Sequence, residues 1–353
     1  MGRGRPTWFL APLHVAALAT GAKSFRDNPV IGSPRLNRAG LHIARVRLAH
    51  KLAEWRRNRM ASLVSEEDRA AFERDGFILK RNFLEDTHYR ALKEQVLSFE
   101  GPARAQLQGD ALTRRIALDE RALSRLPQLR KLVESPEWLG LVRYVGSFML
   151  EPLIYVQTIF SKVRNAPPDP QTRLHADAFH PSVKAWFFLT DVSEEDGPFV
   201  YVPGSHRLTR RRLAWERKAS INAAQSSDFQ TARGSLRISP VAVRRLGLGE
   251  PRVFAIPQNT LVVADTVGFH ARGLSARPSV RVEIWAYGRR NPFLPWLGLD
   301  PAAMPLIKGR AVPLYWSMLD LCESLHLGRN PWRNGGTASP VARPDLGFQQ
   351  QSS

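Results

Sequence analysis

The sequence predicts an α+β fold, with a strand-rich centre flanked by helices and organised around a metal-ligand pattern. Three observations predict it. The first is the segment Arg173-Leu-His-Ala-Asp-Ala-Phe-His180, where His175 and Asp177 stand two residues apart. On an extended strand such residues share a face, so an imidazole and a carboxylate aim at one point. The second is a series of apolar, β-branched and aromatic runs over 150–163, 183–192, 261–270 and 281–287, punctuated by Gly and Pro. The third is helical periodicity over 41–60, from Ser65 into Phe72, and through most of 86–145.

Each element bears on a possible site. One more imidazole from a distant strand would turn His175 and Asp177 into a 2-His-1-carboxylate facial triad, the usual cradle for non-heme Fe(II). His270 closes the run Leu261-Val-Val-Ala-Asp-Thr-Val-Gly-Phe-His270 and is the expected third ligand. Eleven residues later Arg281 opens the strand Arg281-Val-Glu-Ile-Trp-Ala-Tyr287. A facial triad leaves room for a bidentate 2-oxo acid and dioxygen, and a guanidinium fork suits the far carboxylate of 2-oxoglutarate. A His-X-Asp alone is common by chance; the four residues together carry the expectation.

Around them, Val183-Lys-Ala-Trp-Phe-Phe-Leu-Thr-Asp-Val192, Gly197-Pro198 and Val202-Pro-Gly-Ser-His206 read as strand, turn, strand, turn. On these residues, roughly 65 to 290, the sequence resembles the phytanoyl-CoA dioxygenase family of Fe(II)- and 2-oxoglutarate-dependent oxygenases. The resemblance implies a double-stranded β-helix, a jelly-roll, cupin-like barrel with flanking helices. It implies metal ligation by His175, Asp177 and His270, and 2-oxoglutarate binding by Arg281 with Trp186 lining the pocket. Fe(II) and 2-oxoglutarate follow as cofactor and co-substrate, with ascorbate as an accessory. Related halogenases lack the carboxylate, so Asp177 favours hydroxylation. Members often carry a small hydroxyl residue two after the distal histidine; here that position is Arg272, which puts the family's usual substrate in doubt.

Four regions are expected in order along the chain. Residues 1–64 hold twelve Lys/Arg against two acidic residues. They combine the apolar stretch Trp8 to Ala19 with a helix over 41–60 that sets Leu41, Ala44, Leu48, Leu52 and Trp55 on one face and Arg45, Arg47, Lys51, Arg56 and Arg57 beside or opposite it. This reads as a membrane-associating arm. The alternatives are a segment packed on the barrel, or a signal peptide with the mature chain starting near Thr20. Residues 65–290 are the catalytic domain. Within it, 86–145 is expected to be mostly helical, with breaks at Gly101-Pro102 and Pro136. The cluster Arg207, Arg210, Arg211, Arg212, Arg217 and Lys218 is expected at the barrel mouth. His206, Arg210, Arg211 and Arg272 are the candidate substrate contacts. His180 reads as pocket wall, and Glu283 either as an orienting partner for Arg281 or as a structural partner for another arginine. Residues 291–334 form an apolar, partly helical extension, and 335–353 a disordered tail. The terminal Gln-Ser-Ser is not a peroxisomal address.

Charge narrows the partners. The chain of 353 residues has a formal net charge of +19, which favours anionic partners and says nothing about fold. Hydrophobic residues at 43% exclude global disorder. The one cysteine, Cys322, excludes an internal disulfide and suits a reducing compartment. An anionic membrane lipid or phosphorylated glycolipid is the expected substrate, met peripherally on the cytoplasmic face of a bacterial inner membrane. Among relatives of the family the chain resembles the Kdo 3-hydroxylases acting on Kdo-lipid A. An acyl-CoA or small-molecule hydroxylase is the alternative within the family, and a basic nucleic-acid-binding jelly roll the alternative outside it.

Overall fold

The apolar runs form the centre of the molecule because each offers both of its faces to a core. The computed structural model describes residues 11–344. Its strands are β1 (Phe77–Lys80), β2 (Gly101–Gln108), β3 (Ala111–Ala117), β4 (Leu153–Ser161), β5 (Val183–Phe188), β6 (Phe199–Tyr201), β7 (Arg252–Val253), β8 (Thr260–Asp265), β9 (His270–Arg272), β10 (Ser279–Gly288) and β11 (Arg333–Ala338). Eight form one sheet in the order β1-β8-β5-β10-β4-β3-β2-β11, and β7-β6-β9 form a second. Every strand pairing in them is antiparallel. This is the expected cupin-like jelly roll, with the two sheets not closed into a continuous barrel.

Strand alternation sorts the side chains. In β5, Ala185 and Phe187 join the core under the helices, while Trp186 and Phe188 point between the sheets. In β8, Leu261 and Val263 take the first side, and Val262 and Ala264 the second. Helices Asp86–Ser98, Pro127–Val133 and Pro136–Gly146 cover the large sheet through Leu92, Val96, Leu129, Trp138, Leu141 and Val145. That is the supporting outer layer expected of this region.

Three expectations are corrected. Residues 101–117 are not helical. They form the hairpin β2–β3, with Leu107 opposite Leu112 and a turn at Gly109-Asp110 in which Gly109 has φ +58°. The disordered tail does not begin at residue 335, because Arg333–Ala338 pairs with β2 as an edge strand. Arg114 then donates to the carbonyls of Ser339 and Ala342, 3.0 and 2.6 Å away. Residues 345–353 lie outside the described residues, as do Trp8, Phe9 and Leu10 of the N-terminal stretch.

The third correction concerns helix Leu41–Arg59. Its basic side divides: Arg45 and Arg56 are buried and Arg47 and Lys51 exposed, while Leu48 and Trp55, expected to pack, are exposed too. Arg56 donates to the carbonyls of Ser147, Pro292 and Leu294 at 2.8, 3.2 and 2.7 Å. Arg57 pairs with buried Asp265 at 2.8 Å, and His42 with buried Glu216 at 2.8 Å. Carbonyls and carboxylates, together with buried Ile43, Val46, Ala49 and Ala53 rather than the expected leucine stripe, bind this helix to the catalytic domain. Among the described residues no helix is long and apolar enough to cross a membrane.

Candidate metal centre and its pocket

His175 does not sit on a long strand. It forms an isolated antiparallel bridge with His270: each residue's amide N–H donates to the other's carbonyl, both at 2.9 Å. Residues opposed in this way carry their side chains on the same face, and the two imidazole centroids stand 4.5 Å apart. Asp177, two residues on, is fixed by its amide donating to the Thr266 carbonyl at 2.9 Å. His270 in turn opens β9, opposite Tyr201 of β6. The turn before it requires Gly268, since a Cβ there would lie 1.9 Å from the Tyr201 hydroxyl.

The donor set fits a metal ion. His175 Nδ1–H donates to the Arg173 carbonyl at 2.8 Å, and His270 Nδ1–H to the Gly268 carbonyl at 2.9 Å. Those bonds fix the tautomers and leave both Nε2 lone pairs free. Each Nε2 lies 3.6 Å from Asp177 Oδ1, and the three ligand atoms lie within 4.8 Å of one another. His270 Nε2 is buried without a hydrogen-bond partner, a cost that a cation would remove. Lys184 Nζ stands 2.6 Å from Asp177 Oδ2, so the carboxylate turns one oxygen to Lys184 and the other to the imidazoles. Burial alone would raise the Asp177 carboxyl, but Lys184 and the two histidines hold it well below the usual carboxylate range. Burial, with His270 beside it, pushes His175 down to about 3, so at neutral pH it is an uncharged ligand.

A cavity of about 170 Å3 opens beside these ligands. Arg281 and Trp186 line it as expected. Arg281 is buried on β10 with Glu283, its Nε 3.0 Å from Glu283 Oε2, and its Nη1 donates to the Gly197 carbonyl at 2.6 Å. Gln157 of β4 donates to Glu283 Oε1 at 2.6 Å and accepts from Arg115 Nε at 2.8 Å. One chain of contacts therefore runs Arg281–Glu283–Gln157–Arg115, linking three residues of the cavity lining through buried Glu283. Glu283 is thus the orienting partner of Arg281.

The expected substrate contacts divide. Arg272 lines the cavity, with its guanidinium held by Asp169 at 2.6 Å and by the Thr113 hydroxyl at 3.2 Å. His206 is not part of the lining. It is buried against the Phe72 ring, with centroids 5.3 Å apart. Arg210 and Arg211 are exposed on helix Arg210–Asn222; Arg210 lines a surface groove with Arg47 and Arg217, away from the ligands. His180 is buried near Gly21 rather than in the cavity wall. The sequence reading missed Gln106, Gln108, Arg115, Gln171, Trp285 and Trp332, all of which line the cavity. They come from four places, the β2–β3 hairpin, the turn Pro170–Thr172, β10 and the segment just before β11, and of these only the hairpin lies in a stretch expected to be helical.

The pattern of the phytanoyl-CoA dioxygenase family matches residues 72–245, which contain His175 and Asp177; the fold brings His270 and Arg281 to them from beyond the matched span. Residues 72–245 thus form a phytanoyl-CoA dioxygenase family domain, and the chain is an Fe(II)- and 2-oxoglutarate-dependent oxygenase. Solved structures similar to it include the non-heme alpha ketoglutarate dependent carbocyclase SnoK from nogalamycin biosynthesis, at 20% identity over 65% of this chain and 84% of that one, TM-score 0.40. The epimerase SnoN, in complex with Fe3+, alpha ketoglutarate and nogalamycin RO, is 17% identical over 79% and 96%, TM-score 0.42. HygX from Streptomyces hygroscopicus, with nickel and 2-oxoglutarate bound, is 15% identical over 64% and 87%, TM-score 0.41. No curated protein matches the chain.

Proposed function

We propose that this dioxygenase hydroxylates a C–H bond of an anionic, hydroxyl-rich substrate carried at a membrane, with the Kdo sugar of Kdo-lipid A as the specific candidate. The place of action in this reading is the cytoplasmic face of a bacterial inner membrane, where the enzyme binds peripherally. One observation carries it: the lining of the cavity beside the metal ligands. Arg115 stands there with its guanidinium 3.8 Å from the Trp285 ring centre and 4.4 Å from that of Trp332, and it forms no ion pair among the described residues. Gln106, Gln108 and Gln171 turn side-chain amides to the same space. A cation without a carboxylate, amides that both donate and accept, and flat aromatic faces match a sugar acid. An acyl chain would need an apolar wall instead.

The roles follow from the contacts. His175 Nε2, Asp177 Oδ1 and His270 Nε2 would hold the iron, and the Arg281 guanidinium the far carboxylate of 2-oxoglutarate. When bound, iron and 2-oxoglutarate supply oxidative decarboxylation coupled to C–H hydroxylation. Glu283 and Gly197 keep the Arg281 fork from rotating, so its Nη2 stays available to a ligand. Lys184 keeps Asp177 ionised and turned toward the imidazoles. Arg115 receives the substrate's own anionic group, with Trp285 and Trp332 excluding water around it.

Succinate release from 2-oxoglutarate tests this. It would be measured with a Kdo-bearing lipid A precursor, a plain anionic phospholipid and an acyl-CoA as separate additions. The Kdo glycolipid is expected to stimulate turnover and to gain the mass of one oxygen. Stimulation by acyl-CoA alone would overturn the substrate reading. His270→Ala is expected to abolish turnover with every addition, while the protein stays folded.

A further inference from the structure

Helix Ala311–Ser324 buries one side and leaves the other bare. Val312 and Trp316 face inward, Trp316 against Tyr155 with ring centroids 6.1 Å apart. Leu314, Met318, Leu321 and Leu325 follow one another at three- and four-residue steps, a single stripe on a helix, and each is 49–58% exposed. Leu306 and Leu327, at 81% and 75%, are further exposed leucines just before and just after the helix in sequence. A lone exposed leucine needs no explanation, whereas a continuous apolar ridge of this length marks an interaction surface.

Charge selects what covers it. The acids within residues 291–344 are all engaged: Asp300 with Arg290, Asp320 with Arg104, and Glu323 with Arg333. Lys308, Arg310 and Arg329 are exposed and form no ion pair among the described residues. The free charge beside the ridge is therefore positive. A second copy of the chain would bring the same three cations, and its own net +19, against them. Nucleic acid would match the cations and leave the leucines in water. An anionic bilayer satisfies both groups at once, with apolar side chains below the headgroups and cations among the phosphates.

We propose that this ridge is the membrane-docking surface of the protein and seats in the headgroup region of an anionic phospholipid bilayer. The inference rests on the membrane reading above and moves the contact from the N-terminal arm to the C-terminal extension. The same extension carries Trp332 to the cavity, and Asp320 grips Arg104 of β2, the hairpin strand that supplies Gln106 and Gln108. Docking through the ridge would set that wall of the cavity beside the lipid surface.

Co-sedimentation of the full-length protein with vesicles tests the assignment without any turnover. The vesicles are phosphatidylglycerol with phosphatidylcholine, or phosphatidylcholine alone. Wild type is expected to bind the anionic vesicles and to be released by salt. The triple variant Leu314→Glu, Met318→Glu, Leu321→Glu should bind at least about tenfold more weakly, because three apolar side chains no longer enter the interface. Lys308→Glu with Arg310→Glu should weaken binding while the ridge remains apolar. Leu48→Glu with Trp55→Glu, on the N-terminal helix, should bind as wild type. Undiminished binding by the ridge variant overturns the proposal. So does wild type that ignores both vesicles, or a wild-type dimer in sedimentation velocity that the ridge variant abolishes. A failure of the substrate reading would appear only in the turnover assay and leave vesicle binding intact.

Discussion

The N-terminal helix Leu41–Arg59 and the C-terminal helix Ala311–Ser324 both mix apolar and basic neighbourhoods, yet they attach to the catalytic domain in different ways. The first is joined on a small apolar face, Val46 and Ala49 against Phe179, and by many polar groups: Arg45, Arg56, Arg57 and His42 each reach a carbonyl or carboxylate of another segment. Lys23, from the same N-terminal layer, donates to the carbonyl of Asp177 itself. The second helix buries only Val312 and Trp316 and leaves its leucines bare. The difference teaches that sequence composition does not reveal which side of a helix is spent on the fold. The N-terminal layer holds the metal site in place, and the C-terminal helix keeps its apolar side for something else.

The sharpest way to break that contrast is deletion. Were residues 1–60 only a membrane-associating arm, removing them would release a soluble catalytic domain. The structure predicts instead that the truncated chain fails to fold, because Asp177, Asp265 and the Ser147 carbonyl lose their buried partners. Recovery of a truncated protein with a cooperative thermal transition would show the layer to be dispensable.

A single residue sharpens the same point. Arg56→Met removes donors from three buried carbonyls and is expected to cost about 3–5 kcal/mol in urea unfolding. A loss under about 1 kcal/mol would mean that water replaces the guanidinium.

Acid probes the layer as a whole. His50, His180 and His206 lie in or against it, and burial pushes each down to about 3. In the unfolded chain they protonate near pH 6.5. Their neutral, folded form is therefore undisturbed above about pH 6.5. Stability should fall from there toward about pH 3, by up to about 1.4 kcal/mol per pH unit for each histidine. Unfolding midpoints that stay flat between pH 7 and pH 5 would contradict this.

The clamp calibrates the comparison, since it belongs to neither layer. Arg281→Lys keeps the charge and loses the planar fork, so the 2-oxoglutarate requirement should rise by roughly 10- to 150-fold, or about 1.5–3 kcal/mol. An unchanged requirement would remove Arg281 from the co-substrate site. The smallest effect belongs to the C-terminal ridge: Leu321→Gln should alter unfolding free energy by less than about 0.5 kcal/mol, and a large loss would show the ridge to be part of the core.

What could be read in the sequence depended on whether the signal was local. His175-X-Asp177, His270 and Arg281 were legible because strand period and turn residues tie each to a face. The hairpin of β2 and β3 was not, since Ala103-Arg-Ala-Gln-Leu-Gln108 is rich in helix formers. The Gly109-Asp110 turn that contradicts them is only two residues long. Arg115 and two of the cavity glutamines were lost with it. Arg333-Asn-Gly-Gly-Thr-Ala338 has no strand propensity of its own and is extended because β2 offers it a free edge. His206 was misplaced for another reason: standing beside a site-proximal turn does not fix which way a side chain leaves the chain.

The two amide–carbonyl bonds between His175 and His270 have a consequence for loading. They gather the imidazoles during folding, ahead of any ion, so the ordering entropy of the site is not charged to the binding step. Uptake and release then leave the backbone where it was. Such a centre would act as a socket rather than a staple, its shape set by amide–carbonyl bonds and not by the ion it receives.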